Sequence, residues 1–547
     1  MVMLWVAEGL ITFDDDDDHD KVFDLLVSMQ VILFSGIDRH ADTLSLNTTR
    51  SLYKVNHSKI ATTSSSSSTS AVAIEEEKYL IIWEGDNDPN MDHHHHHDIV
   101  VHPEKVHHLS IDSRSLLALS GFDFIEQFQR LHTLFLIHSP CFFANRVPYS
   151  LFLSLKHLLS LNLSDCSISE LPDSISSLKS LIYIDLSSNP IKFLPEPITS
   201  LRNLQTLRLR NCSLLHQLPL STNNLTSLRH LDLDVIGQLY CMPRRMGTLI
   251  HLQTLSAFLV SVMDDGCRIG ELKNIKNLKG PFCISNLQCV LNSEEAEEVD
   301  LVDKKFITKL ELSWTDIYFD DVSKTERILQ HLQPPFGIDE LMIHGYGGFK
   351  LPSWISDSSY AHLVAITLYG FVNCDCLPSI GQLPSLQSLR MIDMTKLQRI
   401  DDRFCRDDDG NEGQQSPPAF PSLKELTIDD MPALEEWTGA RDGDFPCLNK
   451  LKVECCPKLI SLSFLPYLSS LKDVEITHCP NISSLPDGEI ATSLESLLII
   501  DCPELKKNCH KGEGKDWGKI AHVPNIVIED SFQQMFKVRV PYWRKKF

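Results

Sequence analysis

Few residues in this sequence have the types and spacing that chemistry requires. Imidazole and thiolate groups are good zinc ligands, and the candidates are the histidine run His93–His97, the pair Cys374 and Cys376, and the neighbours Cys455 and Cys456. A zinc site needs ligands at defined spacing on a rigid frame, and none of these groups has paired C-x-x-C spacing. We therefore expect no metal site, and we expect the histidine run to be a solvated loop.

The motifs of nucleotide and hydrolase chemistry are also missing from the sequence. It contains no G-x-x-x-x-G-K-[ST] loop to cradle phosphates, and no G-x-S-x-G, H-E-x-x-H or protein-kinase motif set. We therefore expect a protein that is not an enzyme and that binds no cofactor through this chain.

Composition narrows the class of partner. The 547 residues are 43% hydrophobic and 22% charged, which is typical of a soluble globular chain or an elongated array. A net charge of −23 disfavours binding to nucleic acid or to an anionic membrane surface, because both depend on cationic side chains. The N-terminus has no Lys or Arg before its apolar stretch and runs into Asp14–Asp18, unlike a signal peptide. We expect a cytoplasmic protein, and the sequence leaves the nucleus open as a second compartment.

A repeat organises the middle of the chain. Its leading leucines follow one another at intervals of 23, 23, 24 and 24 residues, on the template L-x-x-L-x-x-L-x-L-x-x-C/N-x-I/L-x-x-L-P. These leucines are Leu155, Leu178, Leu201, Leu225 and Leu249. This is a leucine-rich repeat, which predicts one short strand per repeat with its leucines pointing inward. Burial of one Leu is worth about 1.5–3 kcal/mol, so the repeats must stabilise one another by stacking.

The first three of these repeats also have a cysteine or asparagine after the strand. Cys166, Asn189 and Cys212 occupy this position, where we expect the side chain to satisfy buried backbone groups of the turn. The pattern returns later as Cys-Pro pairs beginning at Cys456, Cys479 and Cys502, again 23 residues apart. We expect the thiols of Cys166 and Cys212 to be structural, not reactive.

Residues 258–400 fit the template less well, and we interpret them as repeats with longer inserts. Capping-box spacing predicts one helix after Asn292, with Glu295, and another after Ser323, with Glu326. The second helix must end before Pro334. Upstream, residues 104–111 read as the first strand of the array.

The solvent-facing residues between the inward leucines are the natural contact surface of such an array. Arg208 and Arg210 stand beside Asp232 and Asp234 on the next predicted strand, which is either a cross-strand pairing or a partner contact. Both interpretations stay open at this stage. The candidate protein-contact residues are Tyr183, Asp185, Arg208, Arg210, His230, Asp232, Asp234, Lys450, Lys452 and Glu454.

Four stretches together resemble one family. "LWVAEGLI" (4–11) looks like the winged-helix motif of plant intracellular nucleotide-binding leucine-rich-repeat disease resistance proteins of the coiled-coil class. Residues 251–314 are similar to the irregular early repeats of that family, and "LPSIGQLPSLQSLRM" (377–391) is a further landmark. "GKDWGKIAHVPNIVIED" (514–530) resembles the cap that ends the array.

The resemblance implies an N-terminally truncated member of the family. Its repeats would recognise a pathogen effector or a host protein, or would contact a nucleotide-binding receptor module. In a full-length member they would regulate a nucleotide switch, so ADP or ATP is expected only there. Two alternatives remain, an extracellular leucine-rich-repeat receptor or inhibitor, which six N-x-[ST] sites favour, and a scaffold adaptor. Whether Met1 is the true start stays open.

The predicted fold class is an α/β leucine-rich-repeat solenoid, with a curved parallel sheet on the concave side and a small, mainly helical N-terminal remnant. The predicted organisation is a winged-helix remnant (1–61), a low-complexity linker (62–100), the solenoid (101–530) and a basic tail (531–547). Within the solenoid we distinguish a regular block (155–258), an irregular block (258–400) and a second regular block (420–530).

Overall fold

The computed structural model divides into two compact units, Met1–Leu252 and Gln253–Phe547. It describes residues 61–64, 69–74, 79–84, 102–112, 121–137, 146–233, 239, 241–261, 266–315, 321–406, 417–488 and 490–530. The winged-helix remnant predicted up to residue 61, the histidine run His93–His97, Asp234 and the basic tail lie outside these residues, apart from Ala61. Within the described residues, no helix combines the length and apolar character needed to cross a membrane.

In the first unit, consecutive strands lie side by side in one sheet. The first three, β1 to β3, pair antiparallel, and every pair from β3 to β9 is parallel. The strands are β1 (Ala61–Ser64), β2 (Thr69–Ile74), β3 (Tyr79–Glu84), β4 (His108–Asp112), β5 (Thr133–Ile137), β6 (Ser160–Asn162), β7 (Tyr183–Asp185), β8 (Thr206–Arg208) and β9 (His230–Asp232).

The start of this sheet differs from the sequence prediction. Residues 104–111 do form a strand, β4, but β3 precedes it in the sheet, so β4 is not the first strand. Strands β2 and β3 lie inside the segment 62–100, whose serine-rich composition predicted a linker. The aromatic and β-branched residues of "YLIIWE" in β3 favour a strand, but the low-complexity segments on either side obscured this preference.

The inward leucines are buried as the repeat predicts. Leu161, Leu207 and Leu231, at the centres of their strands, are at most 1% exposed. The leucines two residues later in each repeat are nearly as buried. Each chain segment then crosses the opposite side of the unit in a short helix before the next strand. These are α1 (Phe122–Glu126), α2 (Tyr149–Ser154) and the 3-10 helices Asp173–Ser177, Glu196–Ser200, Thr222–Asn224 and Met246–Thr248.

The Cys/Asn position lies in the turn after the strand, as predicted. The carboxamide of Asn189 accepts from the backbone N–H groups of Cys166 and Ile168 and donates to the carbonyl of Leu163, all in the preceding repeat. Cys212 donates its S–H to the carbonyl of Leu186. Burial, followed by the charge of Asp165, raises the pKa of Cys166 to about 12, so its thiol is not nucleophilic.

The second unit begins with β10 (Thr254–Leu255) and contains an eleven-stranded sheet that is parallel throughout. Its strands are β11 (Ala257–Leu259), β12 (Lys279–Ser285), β13 (Phe306–Ser313), β14 (Glu340–His344), β15 (Ala365–Phe371), β16 (Ser388–Met394), β18 (Glu425–Asp429), β20 (Lys450–Glu454), β21 (Asp473–Thr477), β22 (Ser496–Ile500) and β23 (Asn525–Glu529). A separate two-stranded sheet pairs β17 (Arg399–Ile400) with β19 (Glu436–Trp437). The irregular block therefore shares one sheet with the later regular block, as interpreted from the sequence.

Longer connections carry the helices of this unit. The α-helices are α3 (Ser293–Glu297), α4 (Val322–His331), α5 (Asp402–Cys405), α6 (Pro503–Asn508) and α7 (Trp517–Ile520). The 3-10 helices are Ile269–Asn274, Leu287–Cys289, Leu301–Asp303, Ser353–Ser356, Ile380–Gln382 and Leu465–Tyr467.

Of the two predicted helix starts, one is confirmed and one is wrong. Asn292 caps α3 by accepting from the N–H of Glu295 at 3.0 Å. Helix α4 is capped by Asp321, two residues before Ser323, because the Asp321 carboxylate accepts from the N–H of Lys324 at 2.9 Å. The carboxylate of Glu326 instead accepts hydrogen bonds from backbone N–H groups of the next repeat. The helix ends at His331, before Pro334, as predicted.

Candidate functional site

The candidate contact residues lie on the face of each sheet that is opposite to the inward leucines, because side chains alternate along a strand. We call this side the inner face. In the first unit it is more closed than the sequence predicted. Tyr183 and Asp185 are each only 4% exposed, so the prediction that they face solvent is wrong. Neighbouring strands lie only about 4.8 Å apart, and long side chains on one strand cover shorter ones on the next.

Arg208 is the side chain that covers Asp185. Its Nη1 lies 3.2 Å from Oδ2 of Asp185 on β7, and its Nε lies 3.5 Å from Oδ2 of Asp232 on β9. Arg210 approaches the other oxygen of Asp232 at 3.4 Å. The hydroxyl of Tyr183 donates to Asp185 at 3.2 Å and completes the network. The Arg and Asp side chains of three adjacent strands therefore neutralise one another.

The protonation states fit a closed network. Burial, and then the charge of Asp185, raises the pKa of Tyr183 to about 12, so the phenol stays neutral and donates. Burial alone would lower the pKa of Arg208, but Asp185, Tyr183 and Asp232 together raise it, so the guanidinium stays charged. The cross-strand pairing is therefore present in the structure. A partner contact by the more exposed Arg210 or by His230 stays a prediction.

The candidates of the second unit form a looser network. Lys450 reaches Glu475 at 3.1 Å and Lys452 reaches Glu454 at 2.7 Å, while Glu475 also lies 4.0 Å from Lys452. Burial would lower the pKa of Lys452, but its hydrogen bond to Glu454 and the charges of Glu454, Glu475 and Asp429 raise it. The lysine side chains are 43% and 34% exposed, so these groups remain accessible to a partner.

These residues belong to a larger surface that continues to the last strand. The register aligns β18, β20, β21, β22 and β23 without a shift, so their inner-face residues form three rows across the sheet. This surface carries six carboxylates and two lysines. We call this surface the acidic face; its rows are Glu425, Lys450, Asp473, Ser496 and Asn525; Thr427, Lys452, Glu475, Leu498 and Val527; and Asp429, Glu454, Thr477, Ile500 and Glu529.

The sequence prediction missed the part of this surface on β22 and β23. The spacing of "LESLLII" to the preceding repeat indicates the strand, but the family resemblance assigned the following residues to an end cap and not to the contact surface. The structure places Leu498 beside Val527 and Ile500 beside Glu529.

One group of possible metal ligands occurs among the described residues. Ligand atoms of Asp429, Glu454 and Cys455 lie within 4.8 Å of one another. The ammonium of Lys452 lies 2.7 Å from Glu454, so its positive charge already balances that carboxylate. We therefore interpret the group as part of the lysine–carboxylate network.

A second polar group that the sequence did not indicate is buried on β12 to β14. The carboxyl of Glu311 lies 3.5 Å from Nδ1 of His344, and Cys283 on the neighbouring strand also interacts with Glu311. Burial lowers the pKa of His344 to about 4 and, against the opposing charge of Lys309, raises that of Glu311. Both residues are less than 10% exposed, so this group is not available to a partner.

Comparison with known proteins supports the leucine-rich-repeat fold. Residues 269–394, from the 3-10 helix before β12 to the end of β16, match the family described as R13L1/DRL21 leucine-rich repeats. Disease resistance protein RGA2 of Solanum bulbocastanum is 36% identical over 341 residues, which cover 60% of this chain and 34% of that protein. RGA4 of the same species is 37% identical over 318 residues, covering 58% and 31%.

The repeats of this chain are similar to those of plant disease resistance proteins. The chain spans about a third of the length of these two relatives. Among solved structures, the Leptospira interrogans leucine-rich-repeat protein LIC12759 aligns at a TM-score of 0.45 and 18% identity, over 69% of this chain and 85% of that one. The family match of residues 269–394 includes Glu311 and His344, whereas the network of β7 to β9 and the acidic face lie outside it.

Proposed function

We propose that this chain acts in plant defence, in the cytoplasm, by binding a protein through the inner face of its repeats. The single observation that carries the proposal is the match of the repeats to proteins named for disease resistance. The pathogen effector or host protein that is recognised is the proposed partner, and binding is the proposed activity, without catalysis. In a protein that also carries a nucleotide-binding module, the same repeats would regulate the switch of that module.

The structure supports the second unit as the main contact region. In the first unit, the charged side chains of the inner face neutralise one another, and Asp185 is buried. In the second unit, accessible lysines and carboxylates alternate across adjacent strands. Arrays of this kind commonly use the solvent-facing side chains of the sheet for binding.

A complementation experiment tests the proposal. Loss of the gene should change pathogen growth in the source plant, and the wild-type chain should restore resistance. The variant Glu425→Lys/Asp473→Lys, which reverses two exposed charges on the acidic face, should fail to restore it. The matched variant Glu504→Lys/Glu513→Lys makes the same charge change in exposed residues of α6 and the turn after it, and it should complement normally. Full complementation by the acidic-face variant would contradict the proposal.

A further inference from the structure

The acidic face holds carboxylates that its own lysines do not neutralise. Lys450 and Lys452 are committed to Glu475 and Glu454. Glu425 and Asp473 are exposed and make no ion pair within the described residues. By contrast, the inner face of β7 to β9 balances two Arg with two Asp. Free negative charge is therefore concentrated at the C-terminal end of the array.

The two free carboxylates and an apolar side chain lie on alternate strands. Glu425 on β18 is two strands from Asp473 on β21 in the same row, and Val527 on β23 is two strands further on, in the next row. At about 4.8 Å between strands, the first step is about 10 Å, and the second, which also advances two residues along the strand, is about 12 Å. An extended segment in the polyproline II conformation has three residues per turn and rises about 3.1 Å per residue, so its side chains three residues apart lie on one face, about 9 Å apart. A segment crossing the strands could thus meet all three residues in succession.

Two further observations indicate that this surface is suited to a peptide. Val527 is 43% exposed and lies beside the half-buried Leu498, which together offer an apolar contact at the end of the series. The hydroxyl of Thr477, on a residue only 9% exposed on the same face, has no hydrogen-bond partner. Buried hydroxyl groups normally have a partner, so Thr477 has unused hydrogen-bonding capacity on the middle strand of the surface.

We propose that the acidic face binds an extended basic segment of a partner protein, with two cationic residues three positions apart and an apolar residue three positions later. The cations pair with Glu425 and Asp473, and the apolar side chain covers Val527 and Leu498. This inference rests on the proposed recognition function and specifies the chemistry of its partner.

Binding of a defined peptide to the purified full chain tests the inference. The probe is a fluorescein-labelled peptide containing Arg-Ser-Ser-Arg-Ser-Ser-Leu, measured by fluorescence anisotropy at low salt. Two comparison peptides replace both Arg by Glu, or the Leu by Ser. We expect only the Arg/Leu peptide to bind well, the Ser peptide to bind more weakly, and the affinity to fall as salt is raised.

Matched variants locate the binding. Glu425→Gln/Asp473→Asn should raise the Kd of the Arg/Leu peptide by about fivefold, since each exposed ion pair contributes modestly. Glu504→Gln/Glu513→Gln removes the same charge outside the face, and it should change the Kd by less than about twofold. Thermal melting confirms that both variants are folded. Equal weakening by the two variants would overturn the inference, because the peptide would then be responding to net charge alone.

The outcome also separates this inference from the proposed function. If the Arg/Leu peptide does not bind, while the acidic-face variant still fails to complement, the inner face recognises a partner of different chemistry and the inference is wrong. If the peptide binds at the face but the variant complements, the defence role of the face is wrong, and the peptide-binding chemistry stands.

Discussion

Replacing Asn189 by Ala should destabilise the first unit more than any substitution of an exposed asparagine. The Asn189 side chain is 2% exposed and makes four hydrogen bonds of 3.1 Å or less to backbone groups. Its Oδ1 accepts from Cys166 and Ile168, and its Nδ2 donates to Leu163 and Leu186. Truncation would remove all four bonds and leave a small cavity in the turn.

The magnitude follows from the groups that lose their partner. The carbonyl of Leu186 keeps the S–H of Cys212, at 3.3 Å. The N–H groups of Cys166 and Ile168 and the carbonyl of Leu163 keep none that the structure shows. At about 1 kcal/mol for each buried group left without a hydrogen bond, we expect Asn189→Ala to lower the free energy of unfolding by about 3 kcal/mol. Asn189→Cys should cost less, because neighbouring repeats carry Cys at this position.

Urea unfolding followed by circular dichroism measures the loss, and hydrogen exchange with mass spectrometry locates it. The amides of Cys166 and Ile168 should lose protection in Asn189→Ala. The control is Asn203→Ala, because Asn203 is exposed and donates to one carbonyl only, that of Lys179. A loss below about 1 kcal/mol with unchanged exchange of those two amides would refute the reasoning.

Three further predictions test other parts of the structure. Arg208→Ala should lower the free energy of unfolding by about 1–2 kcal/mol in urea titrations, because it leaves a buried aspartate unpaired, whereas the more exposed Arg210→Ala should cost under about 0.5 kcal/mol. The folded state keeps His344 neutral down to about pH 4, whereas the unfolded chain takes up the proton at higher pH. The free energy of unfolding should therefore fall by up to about 3 kcal/mol as pH drops from 6.5 to 4, and His344→Gln should flatten that part of the pH profile. Gly345→Ala should lower the free energy of unfolding by at least about 3 kcal/mol in melting experiments, because Gly345 has a positive φ and the new Cβ would collide with a backbone carbonyl. The control Gly280→Ala also has a positive φ but has open space around the new Cβ, so it should cost about 1 kcal/mol.

The repeat fold could be predicted from the sequence because its determinants are local and periodic. Leu161 and Leu207 occupy equivalent template positions, and stacking leaves such leucines only one environment. The role of Asn189 was predictable for the same reason, since the turn recurs with each repeat. The start of helix α4 was predicted two residues too late because Asp321 and Ser323 are both suitable N-cap residues. Glu326 bonds to the next repeat, and Asp321 caps the helix.

The exposure of the contact-surface residues could not be predicted from periodicity. Tyr183 and Asp185 have the alternation of solvent-facing residues, yet the side chain of Arg208 on the next strand covers Asp185. Whether one side chain covers its neighbour depends on the lengths of the side chains on adjacent strands. The alternation along a single strand does not contain this information. The burial of Glu311 and His344 is a similar case, because sequence alternation again places both on the inner face.

The second unit, and not the first, presents free negative charge on its inner face. Carbodiimide labelling of carboxylates in the native full chain, with mass spectrometry of the peptides, tests this directly. We predict rapid labelling of Glu425 and Asp473, with Asp185 protected until the chain unfolds. Labelling of Asp185 as fast as Glu425 would contradict both the closed network of the first unit and the assignment of the acidic face.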